Sequence, residues 1–243
     1  MQTLVVIPAR FASSRLPGKP LLRETGKFLI QHVYERAALA TRPTGIIVAT
    51  DDERIADAVR SFGGRVTMTR ADHPSGTDRV AEVAEAFDAE AVVNIQGDEP
   101  DLDPADIDRL AELLAVPGTD VATLAVPIRT AKAYRNPNCV KVVVDDAGRA
   151  LYFSRSPIPH VRDGEPDFDR DPPLQHLGVY GFRRAALQKF AATPPHRLEL
   201  AEKLEQLRLL GTGGTIRVAV VARAGRGIDT PEDYAAFVRA CRG

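Results

Sequence analysis

Cysteine is scarce in this chain: two in 243 residues, Cys139 and Cys241, with no CxxC pair. That excludes a disulfide-built scaffold and fits a reducing compartment, the cytoplasm. The five histidines (His32, His73, His160, His176 and His196) are scattered without zinc spacing. No apolar run approaches the roughly 20 residues of a membrane span. The apolar stretch at 4–7 is too short for a signal peptide, and no basic residue precedes it. Charge of one sign is also lacking, because 32 Lys and Arg against 33 Asp and Glu leave a formal net charge of -1. Whole-surface attraction to nucleic acid is thereby excluded. Any anion bound here must be held by a local cluster.

The common phosphate-binding signatures are absent too. Gly18-Lys19 hints at a Walker loop, but Ser13 stands where the first glycine is needed and Pro20 replaces the magnesium-binding Ser or Thr. Gly18 is the only glycine in the loop after the first apolar run, so there is no dinucleotide fingerprint.

What that loop does contain is cations. "IPARFASSRLPGKPL", residues 7–21, carries Arg10, Arg15 and Lys19 and no acid. Arginine grips phosphate oxygens through several donors, and lysine supplies a mobile point charge. The alternative is a solvated basic loop making surface ion pairs. Its place after a strand favours a site, since open α/β sheets bind ligands beyond the carboxyl ends of their strands.

The first half alternates short apolar runs with amphipathic stretches. Strands are expected at 3–8, 45–49, 65–69 and 91–95. Helices are expected at 29–40, from the Asp51/Asp52 cap to 62, at 77–87 and from Pro104. This rhythm indicates an α/β fold with an open, mostly parallel sheet flanked by helices. The second half reads as a mixed or antiparallel extension, with strands at 121–128, 140–144, 150–154 and 177–182. A long loop is expected at 157–175, a leucine-rich helix at 198–210, a strand at 216–222 and a helix at 231–241. At this length, one domain over 1–243 is expected, with 121–182 as an extension within it.

Acids face the cations in two places. In "NIQGDEPDLDP", Gly97 permits a sharp turn after an apolar run, and Asp98 and Glu99 follow. One or two carboxylates beside substrate phosphates are the usual protein share of a magnesium site. Asp98 and Glu99 could instead cap the next helix, although Asp103, directly before Pro104, is better placed. In "GRGIDTPEDY", Asp229 lies just outside a helix start. It reads either as a metal ligand or as a turn residue.

Ten blocks run in order along nearly the whole chain: "VVIPARFASSRLPGKPL", "IIVATDDERI", "MTRADHPSGTDRVAEV", "VVNIQGDEP", "TLAVPI", "NPNCVKVV", "ALYFSRSPIP", "HLGVYGF", "LEQLR" and "GIDTPEDY". Together they resemble the 3-deoxy-manno-octulosonate cytidylyltransferases, or CMP-Kdo synthetases, with "RADHPSGTDR" and "FSRSPIP" the most discriminating. The resemblance implies an open nucleotidyltransferase fold, GT-A-like, with a dimerising extension. It also implies the reaction CTP + Kdo → CMP-Kdo + pyrophosphate with Mg²⁺, a cytoplasmic homodimer, and a product that feeds lipopolysaccharide assembly.

By the same resemblance, Arg10, Arg15, Lys19 and Asp98 serve catalysis. Pro8, Ala9, Arg10, Lys19, Arg70, Ala71, Ser75, Gly76, Gln96 and Asp98 line the nucleotide, while Asp98 and Asp229 hold the metal. Arg155, His176, Tyr180, Glu205 and Gln206 lie near the sugar acid, with Arg155 suited to its carboxylate. Taken without the resemblance, Glu205 and Gln206 read as a solvated helix face and His176 as a structural histidine. Residues 70–77 carry backbone groups able to match the donor and acceptor of cytosine, and they read equally as a turn built on Asp72, Pro74 and Gly76. The family often has an aromatic residue where this chain has His160 and a basic one where it has Gln175. An 8-amino variant of Kdo therefore stays open as the substrate, and so does a sialic acid, because the opening loop of a sialic acid-activating enzyme would look alike. Two further readings are disfavoured. A glycosyltransferase would use the "DLD" at 101–103 as its metal motif, but Pro104 and the helix start assign Asp103 to capping, and a non-catalytic nucleotide-binding regulator would not need Lys19, Asp98 and Asp229 together.

Overall fold

The computed structural model describes residues 1–12, 16–73 and 75–242. Arg15, expected among the phosphate-holding cations, lies outside these residues. The chain forms two compact units, 1–111 with 225–243 and 112–224.

The first unit begins with β1 (Thr3–Ala9), α1 (Leu29–Ala37), β2 (Gly45–Thr50), α2 (Glu53–Ser61), β3 (Val66–Met68), α3 (Gly76–Ala86), β4 (Ala91–Asn94) and the greater part of α4 (Pro104–Ala115), whose last four residues belong to the second. Its strands lie in the order β3-β2-β1-β4, all parallel, with Val5 opposite Ile46 on one side and Val93 on the other. Branched apolar residues fill β1, and every one from Leu4 to Ile7 is buried, as a strand covered on both faces requires. In α1 the buried residues Ile30, Val33 and Ala37 form one helical stripe. This helix ends at Ala37 rather than at residue 40. Asp52 caps α2 by accepting from the Arg54 amide at 3.0 Å, and Ser75 caps α3 by accepting from the Asp78 amide at 3.2 Å. Chain order reverses at β1, with β2 on one flank and β4 on the other. Such a switch point opens a crevice at the strands' carboxyl ends.

The second unit contains β5 (Val121–Pro127), α5 (Ala131–Arg135), β6 (Lys141–Val144), β7 (Ala150–Ser154), β8 (Leu174–Arg183), α6 (Arg184–Ala192), α7 (Arg197–Glu202), α8 (Gln206–Gly211) and β9 (Ile216–Val220). Strand β5 pairs antiparallel with β8 and parallel with β9, and β6 pairs antiparallel with β7 and β8, so this sheet is mixed as expected. The chain then returns to the first unit, where Ile228, with Tyr234 and Val238 of α9 (Pro231–Arg242), packs on Leu29.

One expected element is broken. Residues 198–210 form two short helices, because Lys203 adopts a left-handed conformation at φ 54°. The Arg155 guanidinium takes the carbonyls of Glu202 at 2.7 Å and Lys203 at 3.3 Å. A cation thus satisfies the last acceptors of α7, which a continuing helix would have used itself. Helices α5 and α6, absent from the reading of the sequence, are only five and nine residues long. No helix among the described residues is long and apolar enough to cross a membrane.

Candidate active site

The carboxyl ends of β1 and β4 deliver the first charged group. After β1 the loop is pinned where the Gly18 amide donates to the Phe11 carbonyl at 3.2 Å. Arg54 lies over the Phe11 ring at 3.4 Å. Gly18 sits at φ +67°, and a side chain there would strain the backbone and press on that ring. Lys19 follows in a single 3-10 turn and points its ammonium at three groups. It donates to Asp98 Oδ2 at 2.6 Å and to the Ile228 carbonyl at 2.7 Å, and it lies 3.6 Å from Asp229 Oδ1. Asp98 is presented by the turn after β4. There Gly97 approaches β1 so closely that an added Cβ would lie 3.1 Å from the Pro8 carbonyl oxygen. The Ile228 amide donates back to the Asp98 carbonyl at 2.9 Å. Segments 79 and 209 residues away from Lys19 therefore meet at one ammonium.

Glu99 adds a third carboxyl. Its Oε2 is buried with no hydrogen-bond partner among the described residues. Burial, then the charges of Asp98 and Asp229, push its pKa up to about 7. Two carboxylates at one ammonium leave an excess of negative charge, and a divalent cation suits it. Asp98 and Asp229 are the two that face outward, with side chains 30% and 56% exposed. No cluster of three or more candidate metal ligands occurs among the described residues. Two carboxylates with the remaining positions left to water and substrate is the arrangement magnesium prefers.

The stretch around 70–76 is tied on both sides. Arg10 Nη2 donates to the carbonyls of His73 at 2.8 Å and Ser75 at 2.9 Å. Arg10 thus grips backbone here rather than standing clear. The Ser75 hydroxyl donates to Asp78 Oδ2 at 2.6 Å while capping α3, and the Arg70 amide donates to Glu82 Oε2 at 3.3 Å. Pro8 packs beneath, with its Cγ 3.6 Å from where a Cβ on Gly76 would sit. Ala9 is buried in β1 opposite Thr50, and the Gln96 carbonyl accepts the Glu99 amide at 3.2 Å. Ala71 is exposed.

In the second unit, His176, Tyr180 and Glu205 come together. The His176 and Tyr180 rings are 5.3 Å apart, and Phe153 meets His176 edge-on at 4.9 Å. Thr123 Oγ1 lies 2.8 Å from the Val179 carbonyl and 3.0 Å from His176 Nε2. Its one proton goes to the carbonyl, which assigns the ring proton of His176 to Nε2. Burial lowers the His176 pKa to about 3, so the ring is neutral and offers no cation to a carboxylate. Burial, then the charge of Glu205, raise the Tyr180 pKa and keep its hydroxyl protonated. Gln206 is 5% exposed, which overturns the solvated-face reading for it, whereas Glu205 is exposed. Besides its bonds to Glu202 and Lys203, Arg155 donates to the Pro137 carbonyl at 3.1 Å. Its fork is occupied by backbone.

The neutral histidine makes a pH prediction. Its folded pKa lies below the ordinary 6.5, so its contribution to stability falls as pH drops through 6.5 toward 3. The loss should reach about 2 kcal/mol by pH 5. Glu99, with a raised folded pKa, contributes oppositely over part of this window. The measurement is therefore a comparison of urea midpoints of wild type and His176→Gln at pH 7 and pH 5. The wild type should lose more; an equal loss in both would refute the assignment.

Several residues of these clusters were missed from sequence: Glu82, His73, Arg79 and the Ile228 carbonyl. Arg79 had a signal, since it lies on the same helical stripe as Val80 and Val83 and a charge there breaks the apolar pattern. The Ile228 carbonyl had none, because backbone polarity is the same at every residue.

Comparisons with known proteins agree on one chemistry. The family model described as Cytidylyltransferase matches residues 4–216. A 3-deoxy-manno-octulosonate cytidylyltransferase of Geobacter sulfurreducens is 52% identical over 241 residues, covering 96% of each chain. One from Escherichia coli is 48% identical over 231 residues, covering 95% of this chain and 92% of its own. Among solved structures, a CMP:2-keto-3-deoxy-manno-octonic acid synthetase complexed with CTP superposes with a TM-score of 0.93 at 45% identity, covering 100% of this chain and 99% of that one. A cytidylyltransferase from Leptospira borgpetersenii shares the fold at a TM-score of 0.65 and 16% identity, covering 98% and 85%.

Proposed function

The chain belongs to the cytidylyltransferase family, and from that premise we propose that it joins CTP to Kdo, giving CMP-Kdo and pyrophosphate. The observation that carries the reading is the meeting of Lys19, Asp98 and Asp229 at the carboxyl ends of β1 and β4. In this reaction the sugar 2-hydroxyl oxygen bonds to the α-phosphorus as the bond to pyrophosphate breaks. The triphosphate repels an anionic nucleophile, so neutralisation and positioning dominate the barrier.

Lys19 supplies the cation. Its short bond to Asp98 holds the ammonium in place before substrate arrives, and a phosphate oxygen can take over one of its three contacts. Asp98 and Asp229 would hold Mg²⁺, which supplies charge neutralisation at the phosphates when bound. Residues 70–76, with Pro8 beneath and Arg10 behind, read the base. Arg15 is assigned to the phosphates with Lys19, as the family resemblance implies, and Ala9 and Gln96 to the nucleoside. The sugar acid falls to His176, Tyr180, Glu205 and Gln206. Arg155 must exchange one of its carbonyl bonds to meet the sugar carboxylate.

Pyrophosphate release tests the assignment. With CTP and Mg²⁺, Kdo should support turnover; with UTP in place of CTP the rate should fall by about 100-fold or more, since the uracil edge has the wrong donor pattern. A panel holding 8-amino-Kdo and a sialic acid settles the sugar. Binding of CTP with no release for any acid would support a regulator instead.

A homodimer formed through 121–182 is part of the same proposal. Leu151, on β7 within that stretch, is 60% exposed, so a charge placed there probes the interface. Sedimentation should give a dimer for the wild type and a monomer for Leu151→Glu. A monomeric wild type would count against it.

A further inference from the structure

Helix α3 holds both Arg70 and His73 of the base-reading stretch through one oxygen atom. Glu82 Oε2 accepts the Arg70 amide at 3.3 Å and also a short hydrogen bond from His73 Nε2. A carboxylate has no proton to give, so the imidazole donates. His73 is buried at 7% exposure, while Glu82 keeps about a third of its side chain in solvent. The same helix reaches the start of the stretch through Arg79. This guanidinium is fully buried, donates to Thr69 Oγ1 and lies 3.1 Å from Asp51 Oδ1. From the opposite side Arg10 takes the carbonyls of His73 and Ser75. The stretch's described residues before Gly76, exposed at Ala71 and Asp72, belong to no helix or strand. Its conformation is set by these charged anchors rather than by a ladder of its own.

We propose that Glu82 is a specificity-positioning residue: by holding Arg70 and His73 at once, it fixes the backbone that distinguishes cytosine from uracil. This rests on the reading of 70–76 as the base-binding stretch. Discrimination between two bases of the same shape depends on donors and acceptors standing still, because a mobile stretch can rotate a carbonyl for an amide and accept either edge. The assigned role of Glu82 runs through its two partners, Arg70 and His73. The residue types demand little else at this position. A surface glutamate on a helix contributes a few tenths of a kcal/mol through ordinary ion pairs.

Because a single oxygen makes both bonds, glutamine can replace the glutamate and keep them, whereas alanine loses both. In steady-state assays with CTP and UTP, Glu82→Ala should raise KM for CTP by about 10-fold while kcat changes less than about threefold. It should also shrink the CTP:UTP ratio of kcat/KM by about 10-fold or more. Glu82→Gln should stay within about threefold of wild type in that ratio. A purely structural residue would lower the melting temperature and the amount of active enzyme but leave the ratio intact. Hydrogen exchange of the 69–77 peptide, with and without CTP, separates the premise from the inference. If CTP protects this peptide in the wild type and Glu82→Ala retains full discrimination, the positioning role is overturned and the base-reading stretch survives. If CTP leaves the wild-type peptide unprotected, the base-reading assignment falls, and the role of Glu82 with it.

Discussion

Lys19→Ala should lower kcat by about 10²–10³-fold, the cost of removing one preorganised charge donor from a transition state of this kind. The structure adds a second consequence. The Lys19 side chain is 12% exposed, and its ammonium joins residues 19, 98 and 228 through bonds of 2.6 and 2.7 Å. Without it, Asp98 and Asp229 face each other near a carboxyl, Glu99, that they already disturb. Stability should therefore fall by about 1–3 kcal/mol as well. Excess Mg²⁺ should restore part of that stability but not the rate. Lys19→Arg should not recover turnover either, because a planar fork cannot place one charge where a compact ammonium sat. The checks are kcat and KM for CTP together with urea midpoints at several Mg²⁺ concentrations. A kcat within threefold of wild type would remove Lys19 from the chemistry.

The largest loss of stability should come from Glu199→Ala. Glu199 and Arg208 form a two-bond pair, Nη2 to Oε1 at 2.6 Å and Nε to Oε2 at 2.8 Å, with side chains 10% and 14% exposed. Glu199 also accepts the His196 amide at 3.0 Å, closing a capping box at the start of α7. Arg208 reaches on to the carbonyls of Phe190 and Thr193 and stacks its guanidinium over the Phe190 ring at 4.3 Å. Alanine at 199 would leave that cation buried without its carboxylate, at a cost of about 3–5 kcal/mol. For a chain of this size that lowers the melting temperature by roughly 6–20 °C. The pair also has a pH signature. Hydrogen bonding from Arg208 holds the Glu199 pKa below the ordinary carboxyl value. Its contribution is present above the unfolded pKa and is lost as pH falls through the folded one. Calorimetry of Glu199→Ala, and of Glu199→Leu with Arg208→Met, checks both points. The double variant should recover most of the loss, since replacing both charges leaves none stranded. A shift below 2 °C for the single variant would contradict the assigned cost.

The parallel half of the fold was legible because each strand there is a buried run of branched residues followed by a helix with a visible cap. Asp52, Ser75 and Pro104 mark their helix starts in the letters themselves. The break at Lys203 was not legible. It depends on Arg155 reaching α7 from 47 residues away, and leucines at 204, 207 and 209 continue a helical pattern across the gap. The convergence of Lys19, Asp98 and Asp229 could be expected from charge type and strand-end position. The commitment of Arg10 and Arg155 to backbone carbonyls could not, since an arginine drawn to a carbonyl and one waiting for an anion are spelled alike. Gln206 shows the same limit from the other direction. Its residue type suggests solvent, but it lies three and four residues before Leu209 and Leu210 and is buried with Leu209.

The path of the chain has a consequence for biosynthesis. Residues 225–243 return to the unit begun by residues 1–111, after the whole of 112–224 has been made. Lys19 and Asp98 emerge from the ribosome early, but the Ile228 carbonyl and Asp229 emerge only after residue 224, with the Tyr234 and Val238 that close over Leu29. A nascent or truncated chain stalled anywhere in the intervening stretch carries half of the charge cluster and an open seam beside α1. Translation itself thus acts as the timer, and the charge cluster closes only once residues 225–243 have been made.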